Sequence, residues 1–303
     1  MHFVKNCKSL RELMKKECVM LPGAFNGMSA RLAAENGFKG LYISGAAVTA
    51  SSGVPDIGLV TLDGFCKTIK EVSLSSGLPI IADADTGFGE GEMTAKTVWE
   101  YYLNGASGLH IEDQVFPKRC GHLDGKTLIS PEDFAKKVQI AVQASKECSG
   151  GEFIICARTD AKSVEGIEAV VKRSKTYIDA GADMIFPEGL HTLEEFEFVA
   201  KELKGYGPKG GPLLLANMTE FGKTPYIKLE DFEKAGYNCV IYPVSTLRIA
   251  NKAIDLFLKD LQKNGTQEGS VENMQTRKEL YGTLGYTPGA EWTFPDRTSE
   301  RKQ

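Results

Sequence analysis

Residues 118–122 read Lys-Arg-Cys-Gly-His and place one thiol among three side chains that can carry positive charge. Cationic neighbours lower the pKa of a cysteine and favour the reactive thiolate, and Gly121 leaves the backbone conformationally free here. A solvated basic loop with an unreactive cysteine would have the same composition. The position of Cys120, shortly after the predicted strand that ends in Glu112, favours the reactive cysteine.

A second set of candidate residues consists of carboxylates. Asp83, Asp85 and Glu112 end apolar runs on two neighbouring predicted strands, and carboxylate oxygens with water are the usual surroundings of Mg²⁺. The alternative is a group of acidic caps for the helices that follow. That alternative fits Asp85, but it fits Asp83 less well because Asp83 lies inside an apolar run, and a buried carboxylate needs a cation or hydrogen-bond donors. Zinc is not expected, because the sequence lacks a second Cys/His pair at finger spacing.

The elements that would position these residues follow a repeated pattern in which a helical segment ends near a glycine and a short apolar run follows. Eight such runs lie near residues 18–23, 40–44, 79–84, 107–112, 153–158, 183–187, 212–217 and 239–243. Helical patterns between them include residues 29–35, 62–75, 92–103, 131–146 and 192–203. Eight alternations of strand and helix predict a closed (β/α)8 barrel of the TIM type, with a doubly wound open sheet as the alternative.

Barrel enzymes carry their chemistry at the C-terminal ends of the strands. Polar or charged residues stand at or just after seven of the eight predicted strands, from Ser44 after the second to Arg248 after the eighth. Loop residues exposed to water would also be polar, but not so regularly at the end of each apolar run. The sequence therefore predicts one functional site at this end of the barrel.

The remainder of the chain is predicted to be helical and then irregular. Helical patterns cover residues 247–263 and 271–281, and residues 285–303 are polar with two prolines. A length of 303 residues suits one barrel domain over 1–303. We expect a helical extension at about 265–284 and a loose tail at 285–303.

Composition excludes several classes of protein. A net charge of −4 argues against a nucleic-acid binder, and no apolar stretch approaches the roughly 20 residues of a membrane span. The first 19 residues lack the apolar run of a secretory signal. Seven scattered cysteines without a Cys-x-x-Cys pair indicate a reduced, cytoplasmic protein. We expect Cys156 and Cys239 in the core and His110 as a hydrogen-bonded structural histidine.

At this point the sequence resembles the isocitrate lyase and phosphoenolpyruvate mutase superfamily. Residues 118–122 reproduce its Lys-Lys/Arg-Cys-Gly-His signature, and the similarity covers nearly the whole chain, with matching segments at 42–45, 55–56, 83–89, 109–114, 157–160, 186–188, 216–222, 242–243 and 274–277. Within the superfamily the chain is most similar to the members that cleave 2-methylisocitrate. It departs from many relatives at Ala46, where they carry a second glycine. Phe116-Pro117 resembles the hydrolase and dimethylmalate lyase branch.

The resemblance implies a (β/α)8 barrel that assembles as a homotetramer, with a C-terminal helix exchanged between subunits. It implies a cytoplasmic enzyme that uses Mg²⁺, with Mn²⁺ as a substitute, to cleave a small carboxylic acid. The implied substrate is 2-methylisocitrate, giving pyruvate and succinate in the methylcitrate cycle of propionate catabolism. The alternative is a lyase or hydrolase for a related acid such as 2,3-dimethylmalate or oxaloacetate. Neither nucleic acid nor membrane is an expected partner.

The resemblance also implies roles for individual residues. Cys120 would be the general acid, with Lys118, His122 and Tyr42 as the other catalytic residues. Asp83 and Asp85 would hold the metal, Asp85 directly or through water, with Asp56 and Glu112 around it. Phe186 would lie near the methyl group of the substrate. The expected contacts to the substrate carboxylates are Ser44, Gly45, Ala46, Gly121, Arg158 paired with Glu188, Asn217, Thr219, Arg248 and Arg277.

Overall fold

The computed structural model of the protein describes residues 2–118 and 125–292. Within these ranges, eight strands form one parallel sheet in the order β1-β8-β7-β6-β5-β4-β3-β2. All eight coincide with predicted apolar runs, and they are β1 (Val19–Pro22), β2 (Leu41–Ile43), β3 (Ile80–Asp83), β4 (Gly108–Glu112), β5 (Ile154–Thr159), β6 (Met184–Pro187), β7 (Leu213–Asn217) and β8 (Cys239–Tyr242).

The sheet closes into a barrel. Strand β1 pairs with β8 along its whole length, from Val19 opposite Cys239 to Pro22 opposite Tyr242. The gap between β1 and β2 is spanned by a bridge from Gly23 to Tyr42 and by a hydrogen bond of 2.8 Å from the Ala24 amide to the Tyr42 carbonyl. The predicted (β/α)8 barrel is confirmed, and the open sheet is wrong.

Helices connect the strands, and all five predicted helical patterns are confirmed. The helix that begins at Pro131 illustrates how the helices start. The Ser130 side chain accepts a hydrogen bond from the Asp133 amide, and proline occupies the first helical position. The helices in the described residues are α1 (His2–Lys16), α2 (Gly27–Glu35), α3 (Gly45–Ser51), α4 (Leu62–Ser76), α5 (Glu92–Leu103), α6 (Pro131–Ser149), α7 (Lys162–Glu165), α8 (Ile167–Asp179), α9 (Leu193–Leu203), α10 (Leu229–Ala235), α11 (Ser245–Asn264) and α12 (Arg277–Leu284).

The C-terminal extension differs from the predicted single helix over residues 271–281. A short 3-10 helix, Glu268–Asn273, ends at the extended residue Met274, and α12 starts only at Arg277. Thr276 and Glu279 form a reciprocal capping box that fixes this start, because each side chain accepts from the other residue's backbone amide. Residues 293–303 of the predicted tail lie outside the described residues.

Side chains fill the barrel interior and close its N-terminal end. Leu10 and Met14 of α1 pack against the strand residues that point inward, Cys156 and Cys239 among them. Arg11 of the same helix forms an ion pair of 2.9 Å with Asp183 at this end. Because α1 plugs the N-terminal end, the opposite end is the one open to ligands. None of the described helices has both the length and the apolar content that crossing a membrane requires.

Candidate active site

A cavity of about 280 Å³ opens at the C-terminal ends of the strands. It brings together most of the predicted site residues, although they are spread over more than 200 positions of the chain. The predicted residues among its lining are Tyr42, Ser44, Ala46, Asp56, Asp83, Lys118, Arg158, Phe186, Glu188, Asn217, Thr219 and Arg248. The strand ends therefore bring these residues to one cavity, and their joint function stays a prediction.

The acidic side of the cavity is built around Asp83. Its carboxylate accepts hydrogen bonds from the Gly45 amide at 3.1 Å and the Asp85 amide at 2.9 Å. A Cβ atom on residue 45 would lie 2.8 Å from Asp83 Oδ2, so the close approach of α3 to this carboxylate requires glycine. The buried Lys118 ammonium lies 2.7 Å from both Asp56 Oδ1 and Asp85 Oδ1.

Burial and mutual repulsion act strongly on these carboxylates. Burial raises the pKa of Asp85 to about 6, and the negative charge of Asp83 adds to the effect. Burial also acts to raise the pKa of Asp83, but His110, Lys118 and Arg158 outweigh it and lower that pKa to about 2. Burial raises the pKa of Glu112 well above its ordinary value. The group carries more negative charge than its own surroundings balance.

The carboxylates fit a magnesium ion. Both Glu112 oxygens are buried without a hydrogen bond in the described part of the chain, and Asp56 Oδ1 and Asp85 Oδ1 share a single cation, the Lys118 ammonium. Residues 2–118 and 125–292 contain no close group of three or more potential metal ligands. Mg²⁺ commonly keeps several waters and takes only one or two carboxylates from the protein, so such a group is not needed.

Arg158 is the buried arginine of the site. The parallel register places it beside Glu112 on β4 and Phe186 on β6, and its guanidinium lies 5.2 Å from the centre of the Phe186 ring. Its Nη1 is 3.4 Å from Glu112 and 3.8 Å from Glu188. Arg158 forms ion pairs with three carboxylates, and the predicted pair with Glu188 has the longest distance of the three. Asp160, which the sequence analysis did not single out, holds Arg158 with two hydrogen bonds of 3.0 and 3.1 Å.

His110 is only partly the structural histidine that was expected. Its Nε2 is hydrogen-bonded to the Tyr42 hydroxyl at 2.7 Å. Its Nδ1 has no hydrogen-bond partner among the described residues and lies 3.7 Å from Asp83 Oδ1. Burial lowers the pKa of His110 to about 4, so the ring is neutral at pH 7. The ladder pairing of Asp83 with His110 sets this contact, and sequence alone does not give the register.

The other side of the cavity mouth is formed by β7, β8 and the residues that follow them. Asn217 donates a hydrogen bond of 3.1 Å to Glu188. Arg248 at the start of α11 is half-exposed, lies 3.7 Å from Glu220 and stacks 5.3 Å from the ring centre of Phe221. Phe221 has a left-handed backbone with φ 58. The sequence analysis named neither Glu220 nor Phe221 as a site residue, because their contact with Arg248 depends on this loop conformation.

Four predicted site residues are not among those that the described structure places in the cavity or beside it. Cys120, Gly121 and His122 lie outside the described residues, whereas Lys118, just before them, is inside the cavity. Arg277 is an exposed residue at the start of α12, which packs against α2, and it does not line the cavity of its own chain. The structure therefore describes both flanks of residues 119–124, and two of the three predicted arginines, Arg158 and Arg248, line the cavity.

Comparisons with known proteins agree with this architecture. A family model described as phosphoenolpyruvate phosphomutase matches residues 10–262. The 2-methylisocitrate lyase of Aeropyrum pernix is 47% identical over 91% of this chain and 86% of the relative. The enzyme of the same name from Bacillus subtilis is 43% identical over 91% of this chain and 88% of the relative.

Solved structures are also similar to this chain over nearly its whole length. A 2,3-dimethylmalate lyase superposes with a TM-score of 0.85 at 35% identity and covers 92% of this chain and 91% of its own. A phosphonopyruvate hydrolase in complex with oxalate and Mg²⁺ superposes with a TM-score of 0.80 at 25% identity, covering 92% and 95%.

An eight-stranded barrel with buried carboxylates and a buried arginine at its C-terminal mouth defines a (β/α)8 enzyme for a small anionic substrate. The chain belongs to the isocitrate lyase and phosphoenolpyruvate mutase superfamily. Within that superfamily it is a carbon–carbon lyase.

Proposed function

We propose that this enzyme cleaves 2-methylisocitrate to pyruvate and succinate, in the methylcitrate cycle of propionate catabolism. The observation that carries the proposal is the presence of two separate arginines at one mouth, the buried Arg158 and the half-exposed Arg248. Two arginines suit a substrate with three carboxylates, because guanidinium groups form strong charge-assisted hydrogen bonds with carboxylates. The names of the Aeropyrum and Bacillus relatives support the same substrate.

The carboxylates are proposed to hold the metal. Asp83 and Asp85 would bind Mg²⁺, or Mn²⁺ in its place, with Asp56 and Glu112 around it. The crowding of these four carboxylates around the Lys118 ammonium and Arg158 supports this assignment, as do the two Glu112 oxygens that lack a hydrogen bond in the described residues. A bound divalent cation acidifies a neighbouring hydroxyl and polarises the carbonyl that forms from it.

The chain's own residues would transfer the protons and hold the substrate carboxylates. The 2-hydroxyl would pass its proton to the hydrogen-bonded pair of Tyr42 and the neutral His110 ring at the cavity wall. The bond between C2 and C3 then breaks, C2 becomes the carbonyl carbon of pyruvate, and the electron pair remains on C3, which becomes a methylene carbon of succinate. Cys120 would give its proton to C3, supported by Lys118 and His122, with Tyr42 at the cavity wall. The amides of Ser44, Gly45 and Ala46 would hold the pyruvate carboxylate. Arg158 with Glu188, Asn217, Thr219, Gly121 and Arg248 would hold the others.

Substrate preference tests this assignment. Phe186 is fully buried and lies edge-on to His110, so its ring offers an apolar wall for the methyl group. Because one methyl group in an apolar pocket contributes only about 1–3 kcal/mol, we expect kcat/KM for 2-methylisocitrate to exceed that for isocitrate by roughly ten- to 200-fold. Phe186→Leu is expected to reduce this ratio.

The control is Phe196→Leu, which truncates a buried ring in the layer between barrel and helices, away from the cavity. It should lower stability and leave the ratio of the two substrates unchanged. A parallel assay with 2,3-dimethylmalate and oxaloacetate covers the alternative function. A higher kcat/KM for either of those acids would replace the proposed substrate.

We also propose a homotetramer in which α11 packs on a neighbouring subunit. Ile249, Ile254, Leu256 and Leu258 on this helix are between 53% and 72% exposed. Beside it lies a groove of about 770 Å³ with apolar residues from β1, from α2 and from the segment between them, including Met20, Pro22, Phe25, Met28 and Leu32. An exposed apolar helix next to an apolar groove is typical of an interface between subunits.

Leu258→Glu is therefore expected to convert the tetramer into smaller species. A buried leucine side chain contributes about 1.5–3 kcal/mol, and a charge at an apolar interface adds a further penalty. Light scattering after size-exclusion chromatography measures the mass. Lys259→Glu on the same helix is the control, since that lysine is exposed in an ion pair with Asp255. An unchanged mass for Leu258→Glu would contradict the proposed role of α11.

The cytoplasm is the proposed location. The six cysteines in the described residues are all free, which fits a reducing compartment.

A further inference from the structure

Asp160 is a fully buried carboxylate with two cationic partners. Its Oδ2 accepts from Arg158 Nε at 3.0 Å, and its Oδ1 accepts from Arg158 Nη2 at 3.1 Å. The Lys126 ammonium, itself 2% exposed, lies 3.2 Å from the same Oδ1. Burial acts to raise the pKa of Asp160, but Arg158 and Lys126 outweigh it and lower that pKa, so the carboxylate is charged.

The bidentate contact determines which way Arg158 faces. Its Nε and Nη2 are engaged by Asp160, so Nη1 is the nitrogen left to point toward Glu112, Glu188 and the cavity. A guanidinium is planar, and fixing two of its nitrogens fixes the direction of the third. Without Asp160, Arg158 could instead pair closely with Glu112 or Glu188 and turn away from a ligand.

The charges around Arg158 explain the position of Lys126. Glu112, Asp160 and Glu188 each lie within 4 Å of the guanidinium, so three carboxylates compete for its single positive charge. Lys126 supplies a second positive charge next to the carboxylate that is held most closely. Ion pairs are stronger in a buried site than in water, so this charge is felt at the cavity.

The backbone of Asp160 is held as firmly as its side chain. Its amide donates to Asp113 Oδ1 at 3.0 Å. The other oxygen of Asp113 accepts from Thr159 and Tyr177 at 2.7 Å each and from Arg173 at 3.3 Å. The backbone of Asp160 therefore stays in place if the Arg158 side chain moves, and Asp160 provides a fixed partner for the guanidinium.

We infer that Asp160 and Lys126 are positioning residues for Arg158. Asp160 holds the guanidinium in the orientation that faces the cavity, and Lys126 neutralises Asp160 so that the positive charge of Arg158 remains available to a ligand carboxylate. The inference rests on the proposed function only in that Arg158 binds a carboxylate of the substrate.

The test uses Lys126→Met, which leaves the contact between Arg158 and Asp160 in place, with Lys126→Arg as the conservative variant. Oxalate and succinate, each with Mg²⁺, serve as probes in calorimetric titrations of the full-length protein. Losing a buried charge is expected to weaken binding of at least one probe roughly tenfold in Lys126→Met, and arginine should restore most of it. In turnover of 2-methylisocitrate, KM should rise more than kcat falls, as for a loss of ground-state binding.

Lys162→Met is the matched control, because it removes a largely buried positive charge that follows the same strand but pairs with Glu195. It should leave the binding of both probes unchanged. Asp160→Asn should weaken binding further, and the thermal midpoint of each variant shows whether the fold is retained. If Asp160→Asn unfolds, Lys126→Met alone decides the matter.

The inference is overturned if Lys126→Met binds both dicarboxylates like the wild type, or if the wild type binds neither. It is also overturned if arginine fails to restore binding in a folded protein. A wild type that binds the dicarboxylates but does not cleave 2-methylisocitrate would contradict the proposed substrate. In that case weaker probe binding by Lys126→Met would still support the roles of Asp160 and Lys126.

Discussion

Replacement of Cys120 by serine is expected to lower kcat by about 10²- to 10⁴-fold, the usual contribution of a general acid, while the protein remains folded. A serine hydroxyl is a much weaker acid than a thiol and cannot readily protonate the carbanion. The structure adds one observation to the sequence pattern: Lys118, two residues earlier, is buried against Asp56 and Asp85 in the cavity.

Cys148→Ser is the matched control. Cys148 is half-buried, and burial raises the pKa of its thiol to about 11, so it is protonated at neutral pH and far from the cavity residues. Its replacement should leave kcat unchanged. Steady-state kinetics of both variants, together with circular dichroism, separates loss of chemistry from loss of structure. A near-normal kcat in Cys120→Ser would remove this residue from the role of acid.

Removal of divalent cations is expected to lower turnover by about 10³-fold or more, because a metal that polarises the reacting oxygen contributes several kcal/mol and each 1.36 kcal/mol is a tenfold change in rate. Addition of Mg²⁺ or Mn²⁺ should restore it. The physical reason is that, in the described chain, Lys118 and Arg158 are the two cations close to the carboxylates of Asp56, Asp83, Asp85 and Glu112, and both Glu112 oxygens lack a hydrogen bond. Activity after dialysis against a chelator, with and without added metal, measures this.

A variant extends the test. Asp83→Asn should raise the concentration of Mg²⁺ needed for half-maximal activity, since it removes one charged oxygen ligand. Asp231→Asn, on the exposed first turn of α10, removes a carboxylate of similar size at a distance and should have no effect. Full activity of the chelated wild type would show that the carboxylates serve another purpose, such as orienting Lys118.

The strands could be predicted because each one is a short apolar run that ends in a polar residue. A short run that is apolar throughout is typical of a parallel strand buried on both faces. The N-terminal helix α1 could not. Its buried residues Cys7, Leu10 and Met14 have helical spacing but are separated by charged residues. Only its position across the barrel end, with Arg11 paired to Asp183, explains why this segment is helical and ordered.

The site residues could also be predicted only in part. The strand-end residues were identified because strand ends meet at one mouth, which needs no knowledge of rotamers. Side-chain partners do depend on rotamers, which is why Asp160 rather than Glu188 proved to be the main partner of Arg158. The place of Arg277 depends on where α12 packs, and nothing in the local sequence specifies a contact with α2.

The pairing of β1 with β8 has a consequence for how this chain reaches its native state. The ladder partners of Val19 and Pro22 are Cys239 and Tyr242, whereas the ladder pairing between this part of the chain and β2 consists of the single bridge from Gly23 to Tyr42. Contacts between such distant residues form slowly, because a long loop must close before they can stabilise anything. During synthesis on the ribosome, β1 therefore has to wait for almost the whole barrel to be made. Until then its open edge is a site where the nascent chain could pair with a wrong strand.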